Sequence, residues 1–426
     1  MPFSSLGLIP PLLRAVSEKS YTAPTAIQSA AIPAILRGED VLGLAQTGSG
    51  KTAAFALPLL QLLQQAPNEK PKPVRIVILA PTRELAAQTG ASLRAYAQHL
   101  PQQPKIAIVF GGVSINPQML HLRGGADIVV ATPGRLLDLI DHNAVNISRA
   151  STLVLDEADR LLDLGFAEEI KRILALLPAQ RQNLFFSATF PPAVDALAAA
   201  LLQQPLRIEV EATDAGKPDI AQTAIAVDEG RRTQLLRHLI QQQQWSRVMV
   251  FVATKYAAGH VADKLRRNGI HAEAFHGELS QGKRTQVLAD FKAARLQVLV
   301  ATDVAARGID IAQLPAVVNY DLPRSVSDYT HRIGRTGRAG QSGAAVSFYS
   351  AATEAHLRLI ENRLQLKLPR EQVPGFEPAE KQQAMTEEAA ALATEQLNGG
   401  IKGKRKSKKD KLREAAAKSG DGTPPQ

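Results

Sequence analysis

A chain of 426 residues exceeds what one hydrophobic core usually organises, and 45% hydrophobic residues suffice for packed cores, so two domains with extensions are expected. The absence of cysteine excludes disulfides, thiolate chemistry and a cysteine-bound zinc site, and no apolar run reaches membrane-spanning length, so a soluble cytoplasmic protein is expected. The net charge of +10 is concentrated: residues 402–418 hold nine Lys or Arg against Asp410 and Glu414, a surplus of +7 that marks a solvated arm for polyanions on a body carrying only +3.

The first strand to carry chemistry is Val41–Leu44, which runs into the loop Ala45–Thr52 (AQTGSGKT) and then a helix. Within that loop Gly48 and Gly50 permit a tight turn whose backbone N–H groups, with those of Gln46, Thr47 and Ser49, can wrap phosphates at a helix N-terminus. The usual pattern opens with Gly, and here Ala45 stands in its place. Val- and Ile-rich runs at 75–81, 127–132, 152–156 and 183–189 read as buried parallel strands, with helices at 136–143 and 167–177 between them. The carboxylates of Asp156-Glu157-Ala158-Asp159 follow one of these runs, so they sit at the strand end where ligands bind in α/β sheets.

Residues 1–209 therefore form one α/β unit, and the polar segment 210–218 with Gly216 and Pro218 reads as a linker. Strands resume at 247–254, 297–303, 316–320 and 344–349, which defines a second parallel unit over 219–369. It contains the run His331–Arg338 (HRIGRTGR), in which glycines let two guanidinium groups approach a bulky anion. Residues 370–426 are poor in β-branched and aromatic types, so a low-complexity basic tail is expected, with a helix possible at 384–397.

Together these motifs supply what hydrolysis of a nucleoside triphosphate requires. Lys51 neutralises phosphate charge, Thr52 and Asp156 hold Mg²⁺, Glu157 orients water, and Arg335 and Arg338 add positive charge in the transition state. The last two lie nearly three hundred residues from the glycine loop, so the chemistry is expected to need both domains.

In this order the motifs resemble those of a DEAD-box ATP-dependent RNA helicase, from Phe3 to about Tyr349. The opening Phe3–Leu8 and short basic tail look most like the bacterial RhlE type. The resemblance implies an α/β fold of two tandem RecA-like domains with parallel sheets and P-loop NTPase architecture. It implies ATP at Phe3, Tyr21, Gln28, the glycine loop, Gly308 and Asp310, with Gln28 reading adenine. RNA contacts are implied for Pro81, Thr82, Arg83, Gly112, Thr132, Pro133, Gly134, Arg135, Thr254 and Thr302, mostly to the sugar-phosphate backbone. Ser187, Thr189, Asp303 and His331 would couple hydrolysis to local strand separation, with His331 helping to link the domains. Ribosomal-particle or RNA-decay partners would follow. Two rivals stay open: a DNA-directed translocase on the same engine, and an RNA clamp without turnover, which the complete set of catalytic residues disfavours.

Overall fold

A computed structural model describes residues 2–45, 48–210, 219–306, 309, 311, 313–337 and 342–378. The expected linker, apart from Val210, and the helix at 384–397 lie outside the described residues, as do the site residues Gln46, Thr47, Gly308, Asp310 and Arg338.

The first sheet comprises β1 (Val41–Leu44), β2 (Ile76–Leu79), β3 (Ile106–Val109), β4 (Ile128–Ala131), β5 (Thr152–Leu155), β6 (Gln182–Ser187) and β7 (Leu206–Glu209), in the order β3-β4-β2-β5-β6-β1-β7. The second comprises β8 (Ile220–Ala226), β9 (Val248–Val252), β10 (Ala272–Phe275), β11 (Val298–Thr302), β12 (Ala316–Asn319), β13 (Gly343–Tyr349) and β14 (Arg370–Glu371), in the order β10-β11-β9-β12-β13-β8-β14. Counted from its own first strand, the second order repeats the first, so the chain builds one all-parallel topology twice. These are the two RecA-like lobes expected from the motifs.

Parallel strands buried on both faces explain the near-continuous apolar runs. In β2, Ile76 and Ile78 pack into one helix layer while Val77 and Leu79 pack into the other. Phe185 and Phe186 of β6 likewise point to opposite layers, both fully buried, and each contributes about 1.5–3 kcal/mol of burial free energy. The helices Ala26–Leu36, Lys51–Gln64 and Arg83–Ala97 cover one face, and Pro133–Asp141, Ala167–Leu176 and Pro192–Leu201 cover the other.

The second lobe runs past the expected end at 369. β14 pairs with β8 in the place that β7 takes beside β1, and Val373 and Phe376 pack against the lobe's core. A two-residue edge strand has no periodicity to betray it. The expected helices at 136–143 and 167–177 are observed as Pro133–Asp141 and Ala167–Leu176, the first opening three residues early because Pro133 occupies the first helical position.

Candidate nucleotide site and polynucleotide face

β1 delivers the chain to Ala45, which is buried and whose N–H donates to the Ser187 carbonyl at 3.1 Å. Gly50, at φ +91°, caps the helix Lys51–Gln64. A Cβ there would lie 2.3 Å from Nε2 of Gln28, so only glycine fits both the conformation and the approach. The buried Lys51 donates to the Ala45 carbonyl, which holds its ammonium inside the loop.

A cavity of about 350 Å³ is lined by Tyr21, Lys51, Thr52, Asp156, Glu157 and, from the second lobe, Arg335. Arg335 is buried and its Nη1 donates to the Ile309 carbonyl at 2.5 Å. The structure thus brings the phosphate loop, the acidic pair and one arginine of the last motif into one hollow. Glu157 sits in the left-handed region at φ +52° and starts the helix Ala158–Asp163, a conformation uncommon for a non-glycine residue.

Asp156 is buried and its Oδ2 has no hydrogen-bond partner among the described residues. Burial, and then the adjacent Glu157 charge, push its carboxyl up to about 7, while Lys51 pulls the other way. An orphaned, desolvated carboxylate oxygen beside the hydroxyl-bearing Thr52 suits a hard divalent cation that takes its other ligands from phosphate and water. Because the folded state holds this proton more tightly than the unfolded chain, ligand-free stability is lost as pH rises from the unfolded value of 3.8 through about 7. Asp156→Asn should therefore raise the melting temperature of the nucleotide-free protein by more at pH 8 than at pH 5, as differential scanning calorimetry can read. Equal gains at both would contradict the assignment.

Gln28 is buried and does not line the cavity. Its Oε1 accepts the Thr25 N–H at 3.0 Å, closing a capping box, and its Nε2 donates to the Gly50 carbonyl at 3.2 Å. Phe3 is also buried, stacked beneath the exposed Tyr21 with centroids 6.4 Å apart, and it too stays off the cavity wall. Sequence reading missed Tyr96, which lines the cavity and whose hydroxyl lies 3.3 Å from that of Tyr21. Its place on the amphipathic helix Arg83–Ala97 gave no signal beyond core packing.

Ser187 and Thr189 tie to the acidic motif. Thr189 donates from both its N–H (3.0 Å) and its hydroxyl (2.7 Å) to Asp159 Oδ2, and Ser187 Oγ donates to the Thr189 carbonyl at 2.7 Å. Asp303 takes a bidentate pair from Arg332 at 2.6 and 2.7 Å. His331 differs from expectation: its Nδ1 lies 3.4 Å from Ser327 Oγ on its own helix, Val326–Ile333. The crossing between lobes is made one turn earlier, by Asp328, which receives Arg160 Nη1 at 3.1 Å. A second buried crossing joins Arg284 to Glu84 at 2.8 Å. Neither pair was read from the sequence as a contact.

Three first-lobe motifs converge around the loop 111–113. Thr132 Oγ1 accepts the Gly111 N–H at 3.3 Å, Arg135 Nη2 donates to the Val113 carbonyl at 2.8 Å, and the Arg83 guanidinium lies so close to Gly112 (φ +73°) that a Cβ would come within 1.9 Å of it. Arg135 is buried, so it holds this loop, while Gly112 is exposed. Pro81 is buried, Thr82 caps the helix Arg83–Ala97, and Pro133 and Gly134 open the helix Pro133–Asp141. In the second lobe the exposed Thr254 caps the helix Lys255–Arg267, and Thr302 ends β11.

Two duplicated parallel lobes with a glycine loop and acidic strand end in one, and an arginine from the other in the same cavity, define a two-lobed P-loop NTPase fold. A model of the DEAD/DEAH box helicase family matches residues 25–197, and one for the helicase conserved C-terminal domain matches 231–340. The chain is 40% identical to the ATP-dependent RNA helicase DeaD of Mycobacterium tuberculosis over 89% of its own length and 66% of that protein's, just under two thirds of that relative. It is 39% identical to the DEAD-box ATP-dependent RNA helicase CshA of Bacillus thuringiensis, over 93% of this chain and 74% of that one. A structure of Saccharomyces cerevisiae Dbp5 bound to RNA and ADP BeF3 superposes with a TM-score of 0.78 at 29% identity, covering 93% and 99% of the two chains. The chain belongs to the DEAD/DEAH box helicase family.

Proposed function

We propose that this chain is an ATP-dependent RNA helicase whose ATP hydrolysis is stimulated by RNA and drives local, sequence-independent separation of duplexes. The observation that carries the reading is the cavity in which Lys51, Asp156 and Glu157 of one lobe meet Arg335 of the other. ATP lies there with its base toward Tyr21 and its phosphates on the glycine loop, and Gln28 holds that loop to the base-binding segment through Gly50. Thr52 and Asp156 would hold Mg²⁺, which when bound would neutralise phosphate charge. Glu157 orients the attacking water, and Arg335 with Arg338 stabilises the charge that develops on the transferred phosphoryl group.

RNA lies along Thr82, Gly112, Gly134, Thr254 and Thr302, a set rich in backbone groups and short side chains that favours contacts to sugar and phosphate. Two ligands that both prefer joined lobes tighten one another. The pairs Arg160–Asp328 and Arg284–Glu84 hold the lobes together in that state, and Asp159 with Ser187 and Thr189 relays the phosphate site to it. We take the lobes as residues 1–209 and 219–378 with 210–218 as linker. The RhlE subfamily rests on the opening Phe3–Leu8 and the basic run 402–418, and a cytoplasmic role on ribosomal particles or in RNA decay is in keeping with it.

ATP turnover measured with RNA and with matched single-stranded DNA, followed by duplex separation, tests the reading. Stimulation by RNA alone supports it, and stimulation by DNA alone favours a DNA translocase. Arg284→Met should leave Glu84 as a buried unpaired charge, a loss of about 3–5 kcal/mol to the joined state. The expected result is RNA-stimulated turnover reduced at least about tenfold at subsaturating RNA, with ATP-independent folding retained in a thermal melt. Tyr96→Phe removes the tie to Tyr21, and about 1 kcal/mol predicts a KM for ATP raised roughly fivefold with kcat nearly unchanged.

A further inference from the structure

The second lobe carries another hollow, of about 420 Å³, that shares no residue with the nucleotide cavity. Arg231, Arg237 and Lys264 line it together with Thr233, Asn268 and Phe376, and no carboxylate does. Arg237 donates to the neutral Asn268 side chain, Arg231 donates to the Gly375 carbonyl and lies over the Phe376 ring at 5.1 Å, and Lys264 has no ion pair among the described residues. Of the nearby acids, Asp263 pairs with Arg266 and Glu229 with Arg232, while Glu377, which accepts the Gly375 N–H, lies close enough to Arg231 for that cation also to lower its pKa; Arg237 and Lys264 have no such acid among the described residues. His238 also packs on Phe376, with ring centroids 5.4 Å apart and planes tilted by 42°, and Phe376 packs the chain after β14 against the lobe as one wall.

Three cations facing one void repel each other, and a bound anion relieves that repulsion. Guanidinium forks and an ammonium are the groups that suit phosphate oxygens. We infer that this hollow binds phosphate groups, supplied either by an RNA strand lying outside the cleft or by a free polyphosphate. It is separate from the hydrolytic site, so its test reads binding and stands apart from the ATPase reading.

The test uses the full chain, a double variant Arg237→Gln with Lys264→Gln, both partly or fully exposed, and a Lys264→Arg control. Anisotropy titrations over a salt series use a short oligouridylate that fills only the cleft and a longer one. Isothermal titration of tripolyphosphate uses ADP-saturated protein. If the strand is the source, the double variant loses about 1.4 from the log-log salt slope for the longer RNA, at about 0.7 per cation on single strands, and none for the shorter. If a free solute is the source, tripolyphosphate binding is lost while both RNA slopes hold, and Lys264→Arg retains it. A double variant that melts like the parent and matches it in RNA slopes and tripolyphosphate binding overturns the inference.

Discussion

Arg335→Ala is expected to lower RNA-stimulated kcat by about 10³-fold or more, the scale on which an arginine supplied to a developing phosphoryl charge acts. Arg335 reaches the phosphate cavity from the opposite lobe, is buried there, and is aimed by the Ile309 carbonyl. Lys51 and the glycine loop remain, so affinity for an ATP analogue should change little, and steady-state kinetics with an analogue titration separates the two. Arg335→Lys should not restore the rate, since an ammonium keeps the charge and loses the planar fork. A variant with parental kcat would remove Arg335 from the chemistry.

Glu157→Gln is expected to reduce kcat by about 10²–10⁴-fold while leaving binding of ATP and RNA intact, because only the group proposed to orient water is changed. The backbone at φ +52° supports this role: the helix behind it and the Asp156 N–H bond to Leu79 in front fix a left-handed turn that throws the side chain into the cavity. Single-turnover hydrolysis and an RNA-binding titration check the pair of outcomes. Loss of RNA binding alongside hydrolysis would point instead to a folding role.

Much of this site was legible because phosphate chemistry demands particular groups in a particular context. Gly48, Gly50 and Lys51 follow a short apolar strand, and Asp156 and Glu157 follow another, so the strand ends alone place them together. The α/β class was legible for the same reason, through runs such as 75–81 and 152–156. The duplicated strand order was not, because β7 and β14 are exposed edges without the apolar run that buried strands need. Contacts between lobes were equally hidden. Arg160 looks like surface charge in a linear string and Arg284 names no partner there, and only the fold reveals that Asp328 and Glu84 meet them in buried positions. Gln28, Phe3 and Arg135 were singled out through the resemblance, and what only the fold reveals is that all three are buried, in contact with the Gly50 carbonyl, the Tyr21 ring and the Val113 carbonyl.

Nucleotide and RNA are each expected to favour the same joined arrangement of two lobes. The most direct measurement is the dissociation constant of a non-hydrolysable ATP analogue with and without saturating single-stranded RNA, together with the converse titration. Each ligand should tighten the other by one shared factor of about 5–150, and Arg284→Met should lower that factor. A factor of one in both directions, in protein that binds each ligand alone, would contradict this coupling.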